Sequence, residues 1–250
     1  MERSLLFSFA HPDDESFSVA GVSCMYSEQG VHIALATATL GEEATLGDPP
    51  VATRDELPRI RERELHVAAE ILGVEHVHLL GYRDKALSTA PPDEIRGKLV
   101  GVIRRHRPQV VITFDPNGAN GHPDHLAISR FTSDAVAAAA DPRWHPEAGA
   151  AHRVARLLWT SPVMPWDVMR MPDTAERPGV DFLIDIRRWW ERKAAALQAH
   201  RTQYRPINRL FFADPDTERV LGGEAFRQAW GPPLPRRPMD DLFADIRDGQ

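Results

Sequence analysis

The sequence predicts an α/β protein with a mostly parallel β-sheet flanked by helices. In the first two-thirds of the chain, short apolar runs alternate with longer segments of helical periodicity. Strands separated by helices of this length pair in parallel, and the helices then cover both faces of the sheet. The 250 residues show no internal repeat and no linker-like stretch, so we expect a single domain over residues 1–250.

The individual elements follow from this alternation. Apolar runs predict six strands, at residues 5–9, 31–36, 77–80, 110–114, 154–159 and 182–186. Helical periodicity predicts five helices, at residues 16–29, 59–72, 93–106, 126–140 and 188–203. Beyond residue 141 the pattern is less regular and the loops are longer. Residues 224–230 form one further short helix candidate.

Composition and charge narrow the class of protein. The net charge of −6 and the isoelectric point near 6.0 argue against a nucleic-acid partner, because such binding usually depends on a basic face. Cys24 is the only cysteine, which excludes an intrachain disulfide and a zinc site built on thiolates. No signal peptide or membrane-spanning run is visible. We therefore expect a cytoplasmic protein without membrane insertion.

Two clusters of metal-ligand residues follow predicted strands. Residues 10–15 read A-H-P-D-D-E after the first strand, and residues 121–125 read G-H-P-D-H after the fourth. Each cluster alone could be a turn that caps the following helix. Together they converge on one crevice, because the carboxyl ends of parallel strands meet at one edge of the sheet. Hydrolytic zinc sites use three His or carboxylate ligands and keep a position for water, so we expect a metal site.

The same segments carry a resemblance to a known family. The sequence is similar to the LmbE-like (PIG-L) zinc-dependent N-deacetylases, which include the de-N-acetylase of N-acetylglucosaminyl-phosphatidylinositol and deacetylases of bacterial thiol biosynthesis. Both of the family's marker segments, A-H-P-D-D-E and H-P-D-H, are intact. The similarity covers about residues 4–205 and leaves residues 206–250 as an extension. It implies a Rossmann-like α/β domain with a less regular C-terminal part.

The resemblance also implies roles for the residues of the two segments. The metal ligands would be His11, Asp14 and His125. Asp13 would be the general base. His122 would stabilise the oxyanion of the tetrahedral intermediate. Asp124 would orient His122 or another histidine of the site, although a helix N-cap is an equal alternative.

The implied substrate contacts lie outside these segments. Arg61 and Asp84 match positions that contact the sugar or its substituents, with a surface salt bridge as the alternative. Asn120 stands where some relatives have a tyrosine that assists the oxyanion. Asparagine can donate a hydrogen bond but reaches less far, which leaves the contact at Asn120 open. Glu15 is expected to bind backbone amides of its loop.

The expected activity is zinc-dependent removal of an N-acetyl group from an N-acetylglucosamine-type conjugate, with one Zn²⁺ per chain. Other divalent metals such as Fe²⁺ stay open, as does a homo-oligomer. Alternatives are an amidase acting on a related thiol or glycoside conjugate and, less favoured, a non-haem iron oxygenase, which uses the same ligand types but needs no base such as Asp13. A binding module without turnover is disfavoured, since no G-x-G-x-x-G loop follows the first strand. We expect the loops at residues 44–58 and 161–179 to determine the substrate.

Overall fold

A mixed β-sheet organises the protein, as seen in a computed structural model that describes residues 2–161, 163 and 179–246. Its strands within these residues are β1 (Ser4–Phe9), β2 (His32–Thr37), β3 (His76–Leu79), β4 (Val110–Thr113), β5 (Arg156–Thr160), β6 (Phe182–Asp185) and β7 (Gly223–Trp230). Their order is β3-β2-β1-β4-β5-β7-β6. The first five of these pair in parallel, whereas β7 is antiparallel to both β5 and β6. The predicted α/β fold with a mostly parallel sheet is confirmed.

Helices flank the sheet. In the described residues they are α1 (Asp14–Ser18), α2 (Ala20–Glu28), α3 (Leu57–Leu72), α4 (Pro92–His106), α5 (Gly118–Gly121), α6 (Pro123–Ala139), α7 (Trp190–Ala199), α8 (Tyr204–Phe211) and α9 (Thr217–Leu221). Helices α2, α3 and α7 pack against one another, and α4 packs against α6. No helix of the described part of the chain has the length and apolar character needed to cross a membrane.

Strand β1 lies at the centre of the parallel part of the sheet. All six of its residues are buried, because β2 and β4 pair on its two sides and helices cover its faces. Burial of each Leu or Phe side chain of such a strand contributes about 1.5–3 kcal/mol. Since Phe7 of β1 pairs with Ile112 of β4, the loops that follow these two strands begin side by side.

The helix expected at residues 224–230 is wrong, because this segment is strand β7. A helix of seven residues is marginal by itself, and pairing with β5 on one side and β6 on the other favours the extended state. Glu224 also reaches across to α2 and accepts hydrogen bonds from the amides of Gly21 and Val22, at 2.8 and 2.9 Å.

The helix expected at residues 16–29 differs in a smaller way. It begins at Asp14 and is divided at Val19 into α1 and α2. Residues beyond 205 contribute to the fold through β7 and through Met239, Leu242 and Phe243, which are buried in the main hydrophobic core.

Candidate metal and catalytic site

Three donor side chains meet beyond the carboxyl ends of β1 and β4. Nδ1 of His11 lies 3.1 Å from Nε2 of His125 and 3.6 Å from Oδ2 of Asp14. Nε2 of His125 lies 3.3 Å from Oδ1 of Asp14. A tetrahedral zinc ion with bonds of about 2.0–2.1 Å separates its ligand atoms by roughly 3.3–3.4 Å. The 3.1 Å between the two histidine nitrogens and the 3.3 Å between Nε2 of His125 and Oδ1 of Asp14 are close to this value, while the 3.6 Å distance involves the other oxygen of Asp14. The three side chains therefore fit a tetrahedral ion with a fourth position left for water or substrate.

The backbone at the end of β1 aims the Asp14 carboxylate. Oδ2 of Asp14 accepts hydrogen bonds from the amides of Ala10 and His11, at 3.1 and 2.8 Å. Burial would raise the pKa of Asp14, but His125 and His11 outweigh burial and hold it well below the usual range. Asp14 is therefore ionised, and its carboxylate has a fixed orientation.

His125 is oriented by the loop after β4. Its Nδ1 lies 3.2 Å from the carbonyl oxygen of Gly118, so Nδ1–H donates there and Nε2 keeps its lone pair for the site. The ring also stacks on Phe114, with centroids 4.1 Å apart and planes inclined by 14°. Gly118 has a φ of 65°, and a Cβ at this position would lie 2.9 Å from Cβ of His125. The close approach therefore requires glycine.

His11 is oriented from its outer side by two carboxylates. Its Nε2 lies 3.1 Å from Oδ1 of Asp84 and 3.4 Å from Oδ2 of Asp124, so Nε2–H donates to them and Nδ1 faces the site. Histidine ligands are commonly fixed by a carboxylate in this way. Burial lowers the pKa of His11, but Asp124, Asp14 and Asp84 together raise it to about 12. This surplus of negative charge favours a cation at the centre of the cluster, and a divalent metal ion would supply the positive charge.

Other sets of donors lie close together in the described residues. His11 forms one such group with His122 and His125 and another with Asp84 and Asp124. The carboxylates of Asp84 and Asp124 already accept backbone amides, from Glu43 at 3.1 Å and from Lys85 and Leu87 at 2.6 and 3.2 Å. Nδ1 of His122 is likewise occupied. Asp14 also accepts two backbone amides, but both bind Oδ2, whereas Asp124 uses both of its oxygens in this way. Oδ1 of Asp14 lies 3.3 Å from Nε2 of His125, on the side of the histidine nitrogens that face the site. The set of His11, Asp14 and His125 is therefore the better candidate for the metal.

Asp13 lies beside the donor set and faces Arg61. Its Oδ2 is 3.1 Å from Nη2 of Arg61, whose guanidinium also donates to the carbonyl oxygens of Gly41 and Pro12. Burial and the neighbouring Asp14 raise the pKa of Asp13 to about 6, although Arg61 opposes the shift. A carboxylate that titrates near neutral pH is suited to general-base chemistry. Arg61 is only 2% exposed, so the alternative of a surface salt bridge is wrong for this residue.

His122 is the N-cap of α6. Its Nδ1 accepts a hydrogen bond from the amide of Asp124 at 3.2 Å, so Asp124 is not the N-cap. Partial burial and the charges of His11 and His125 hold the pKa of His122 below its usual range. The neutral ring therefore carries its proton on Nε2, where it can donate.

Two residues expected to touch substrate have protein partners in the structure. Asp84 is buried, and its two carboxylate oxygens contact Nε2 of His11 and the amide of Glu43. In this position its carboxylate orients the ring of His11. Oδ1 of Asn120 accepts a hydrogen bond from the amide of His122 at 3.0 Å, although Asn120 is exposed. Contact of Arg61, Asp84 or Asn120 with a substrate stays a prediction.

The loops expected to determine the substrate differ in how much the structure describes. In the loop at residues 44–58, Nη1 of Arg54 donates to the carbonyl oxygens of Glu42 and Ala44, at 2.7 and 2.8 Å. Of the loop at residues 161–179, residues 162 and 164–178 lie outside the described residues.

The sequence did not reveal a buried pair beneath this site. Oε1 of Glu15 lies 2.7 Å from Nε2 of His200. Burial opposes ionisation of both groups, but each holds the other charged, so the pKa of Glu15 is lowered and that of His200 is raised. The only signal in the sequence was the family resemblance of the segment that contains His200, which carries no information about its partner.

Comparison with known proteins identifies the family and the fold. The profile of the PIG-L family, described as GlcNAc-PI de-N-acetylase, matches residues 6–136. Two curated proteins named 1D-myo-inositol 2-acetamido-2-deoxy-alpha-D-glucopyranoside deacetylase are similar over the whole length. The one from Geodermatophilus obscurus is 35% identical, covering 98% of each chain. The one from Thermobifida fusca is 34% identical, covering 97% of this chain and 99% of the relative.

A solved structure shares the fold. The N,N'-diacetylchitobiose deacetylase from Pyrococcus horikoshii superposes with a TM-score of 0.70 and 23% identity, covering 90% of this chain and 83% of that chain. The family resemblance inferred from the sequence is confirmed by these matches, and the two curated relatives match nearly all of the chain. The chain belongs to the PIG-L family.

Proposed function

We propose that this member of the PIG-L family is a zinc-dependent hydrolase that removes the acetyl group from N-acetylglucosamine linked to a polar aglycone such as inositol. One observation carries the proposal: Asp13, a buried carboxylate with a raised pKa, lies beside three donors spaced for a tetrahedral ion. The curated relatives support the substrate class, since their name describes deacetylation of an acetamido-glucopyranoside of inositol.

The residues divide the chemistry of amide hydrolysis among them. A zinc ion held by His11, Asp14 and His125 would activate water and polarise the amide carbonyl. Asp13 accepts the proton that the attacking water loses and delivers it to the amine nitrogen as the C–N bond breaks, which yields acetate and a free amine. Nε2–H of His122 donates to the carbonyl oxygen as negative charge develops on it.

The surroundings of Asp13 support its role as base. Arg61 holds one carboxylate oxygen, Oδ2, at 3.1 Å; the other, Oδ1, has no hydrogen-bond partner among the described residues and can accept a proton. Burial raises the pKa of this carboxylate while Arg61 opposes the rise, so Asp13 can exchange a proton. An iron oxygenase has no use for a spare carboxylate in this position.

Acetate release from protein that is first freed of metal tests the proposal. The chelated protein is supplied with Zn²⁺ and offered N-acetylglucosaminyl inositol, N,N'-diacetylchitobiose, free N-acetylglucosamine and an N-acylated thiol conjugate. We expect release from the inositol conjugate, dependent on added zinc and at least tenfold faster than from the free sugar. Preference for the thiol conjugate would change the substrate class. Absence of release from the whole panel would overturn the proposal.

The metal itself needs a separate comparison. Fe²⁺ supplied without dioxygen is compared with Zn²⁺ in the same assay, because a hydrolase requires no dioxygen with either metal. Turnover that depended on dioxygen and a keto acid would favour the oxygenase alternative. A cytoplasmic location and a homo-oligomer remain predictions beside this proposal.

A further inference from the structure

The pair of Glu15 and His200 connects the end of α7 to the loop that carries Asp13. His200 is completely buried, and its Nε2 lies 2.7 Å from Oε1 of Glu15. The other oxygen of Glu15, Oε2, accepts a hydrogen bond from the amide of Asp13 at 3.0 Å. His200 is therefore two hydrogen bonds away from the backbone of Asp13, although the two residues are far apart in sequence.

The backbone of Asp13 requires such support. Its φ of 115° and ψ of −29° lie in a region that residues other than glycine rarely adopt. A conformation of this kind is strained and persists only where the surrounding structure enforces it. Glu15 holds the amide of Asp13, while Arg61 holds its carboxylate. If the amide were released, the loop could relax and the carboxylate would turn.

We propose that His200 is a positioning residue that acts through Glu15 to hold Asp13 in its catalytic orientation. The inference rests on the proposed function, in which Asp13 is the base. In the described residues the side chain of His200 hydrogen-bonds to Glu15 and Ser16 and has no hydrogen bond to His11, Asp14 or His125. Its effect is thus expected on the rate of the chemical step rather than on metal binding.

A neighbouring buried contact provides a matched control. Thr202 donates through its amide and its Oγ1 to the carboxylate of Glu64 on α3, at 2.9 and 2.6 Å. Thr202 and Glu64 are also buried, and Thr202 lies two residues from His200. Among the described residues, this contact has no hydrogen bond to the loop of Asp13. Thr202→Val therefore reports the cost of losing a buried hydrogen bond in this region without disturbing the base.

The first experiment compares steady-state kinetics of His200→Leu, His200→Gln and Thr202→Val. A displacement of about 1 Å in a catalytic group can cost on the order of 100-fold in rate. We expect His200→Leu to lower kcat at least tenfold with KM within about twofold of the wild type. Gln can place its amide N–H near the position of Nε2, so His200→Gln should recover most of the rate. Thr202→Val should keep kcat within about threefold.

A double-mutant cycle then tests whether His200 acts through Asp13. If it does, His200→Leu costs nothing further in an Asp13→Ala background. The same fold loss in both backgrounds would overturn the proposal, because a merely structural effect persists when the base is absent.

Hydrogen exchange of the metal-free protein gives a measurement that needs no activity. We expect His200→Leu to accelerate amide exchange in a peptide covering residues 11–16, and Thr202→Val to leave that peptide unchanged. Equal acceleration by both variants, or by neither, would overturn the positioning role. If the wild type released no acetate from any substrate, the proposed function would fail, while the exchange comparison would still decide the role of His200.

Discussion

The carbonyl oxygen of Gly118 lies 3.2 Å from Nδ1 of His125, and a Cβ at Gly118 would lie only 2.9 Å from Cβ of His125. We expect Gly118→Ala to displace His125 and to weaken zinc binding about 10- to 100-fold. Gly121→Ala is the control, since Gly121 also has a positive φ, of 77°, but a Cβ there meets nothing within 4 Å. Competition with a chromophoric chelator measures both affinities. Equal weakening in the two variants would mean that backbone strain, not the contact with His125, is responsible.

Asp13→Asn separates catalysis from metal binding. The amide keeps the shape of the carboxylate but cannot take a proton, so we expect kcat to fall about 100- to 10,000-fold. Zinc content should stay at one ion per chain, because Asp13 is not among the three donors. Metal analysis and acetate release on the same sample check both parts. A variant that lost its zinc would instead identify Asp13 as a ligand.

Lys193 and Glu224 form a buried ion pair of a kind that is costly to break. Nζ of Lys193 lies 2.7 Å from Oε1 of Glu224, and the two residues are 3% and 2% exposed. Lys193→Met leaves a buried carboxylate without its partner, so we expect the free energy of unfolding to fall by about 3–5 kcal/mol. Urea denaturation measures this change.

The exposed pair of Arg236 and Asp240 is the control for that experiment. Arg236→Met should change the free energy of unfolding by no more than about 1 kcal/mol. If Lys193→Met had an equally small effect, Glu224 would be stabilised by the amides of α2 alone.

A pair of histidines makes the stability of the protein depend on pH: His78 lies in the edge strand β3 and His106 at the end of α4. Nε2 of His106 lies 2.7 Å from Nε2 of His78. Partial burial, with the neighbouring His78, His76 and Arg105, lowers the pKa of His106 to about 4. Because the unfolded chain binds this proton near pH 6.5 and the folded protein does not, the stability present above pH 6.5 is lost as the pH falls towards 4.

His106→Gln should remove part of that dependence. Between about pH 7 and pH 5, we expect the free energy of unfolding of the wild type to fall by about 1 kcal/mol more than that of the variant. This figure allows for the partial exposure of the ring. Urea denaturation at both pH values measures the difference. His66→Gln, at an exposed histidine of α3, is the control and should behave as the wild type does.

Much of the fold could be predicted because buried parallel strands are continuous apolar runs. The expected strand at residues 110–114 is β4, and helix α3 ends at Leu72 before Gly73, which has a φ of 73°. Strand β7 could not be predicted in the same way. Its state depends on two neighbouring strands that are distant in sequence, and its short run of Glu, Ala and Gln fits a helix equally well.

In the site, too, the sequence revealed what lies within a short segment and not what is joined across the fold. The donors His11, Asp14 and His125 stand in two compact segments, and the order of the strands brings these segments together. The partners that orient them lie far away in sequence, such as Asp84 for His11. Hydrogen bonds across such distances leave no spacing pattern, so the buried position of Asp84 became visible only in three dimensions.

The place of β7 in the sheet bears on how the chain matures during synthesis. In the described residues β6 pairs with β7 alone among the strands, and β7 also occupies the edge of β5. A nascent chain that has reached residue 205 has therefore made β5 and β6 but not the strand that joins them. Until residues 223–230 leave the ribosome, β5 presents an open edge of unpaired backbone groups, which is prone to association with other chains. The last fifth of the polypeptide thus completes the sheet by joining β6 to β5. A chain that stops before β7 should therefore aggregate rather than form a smaller enzyme.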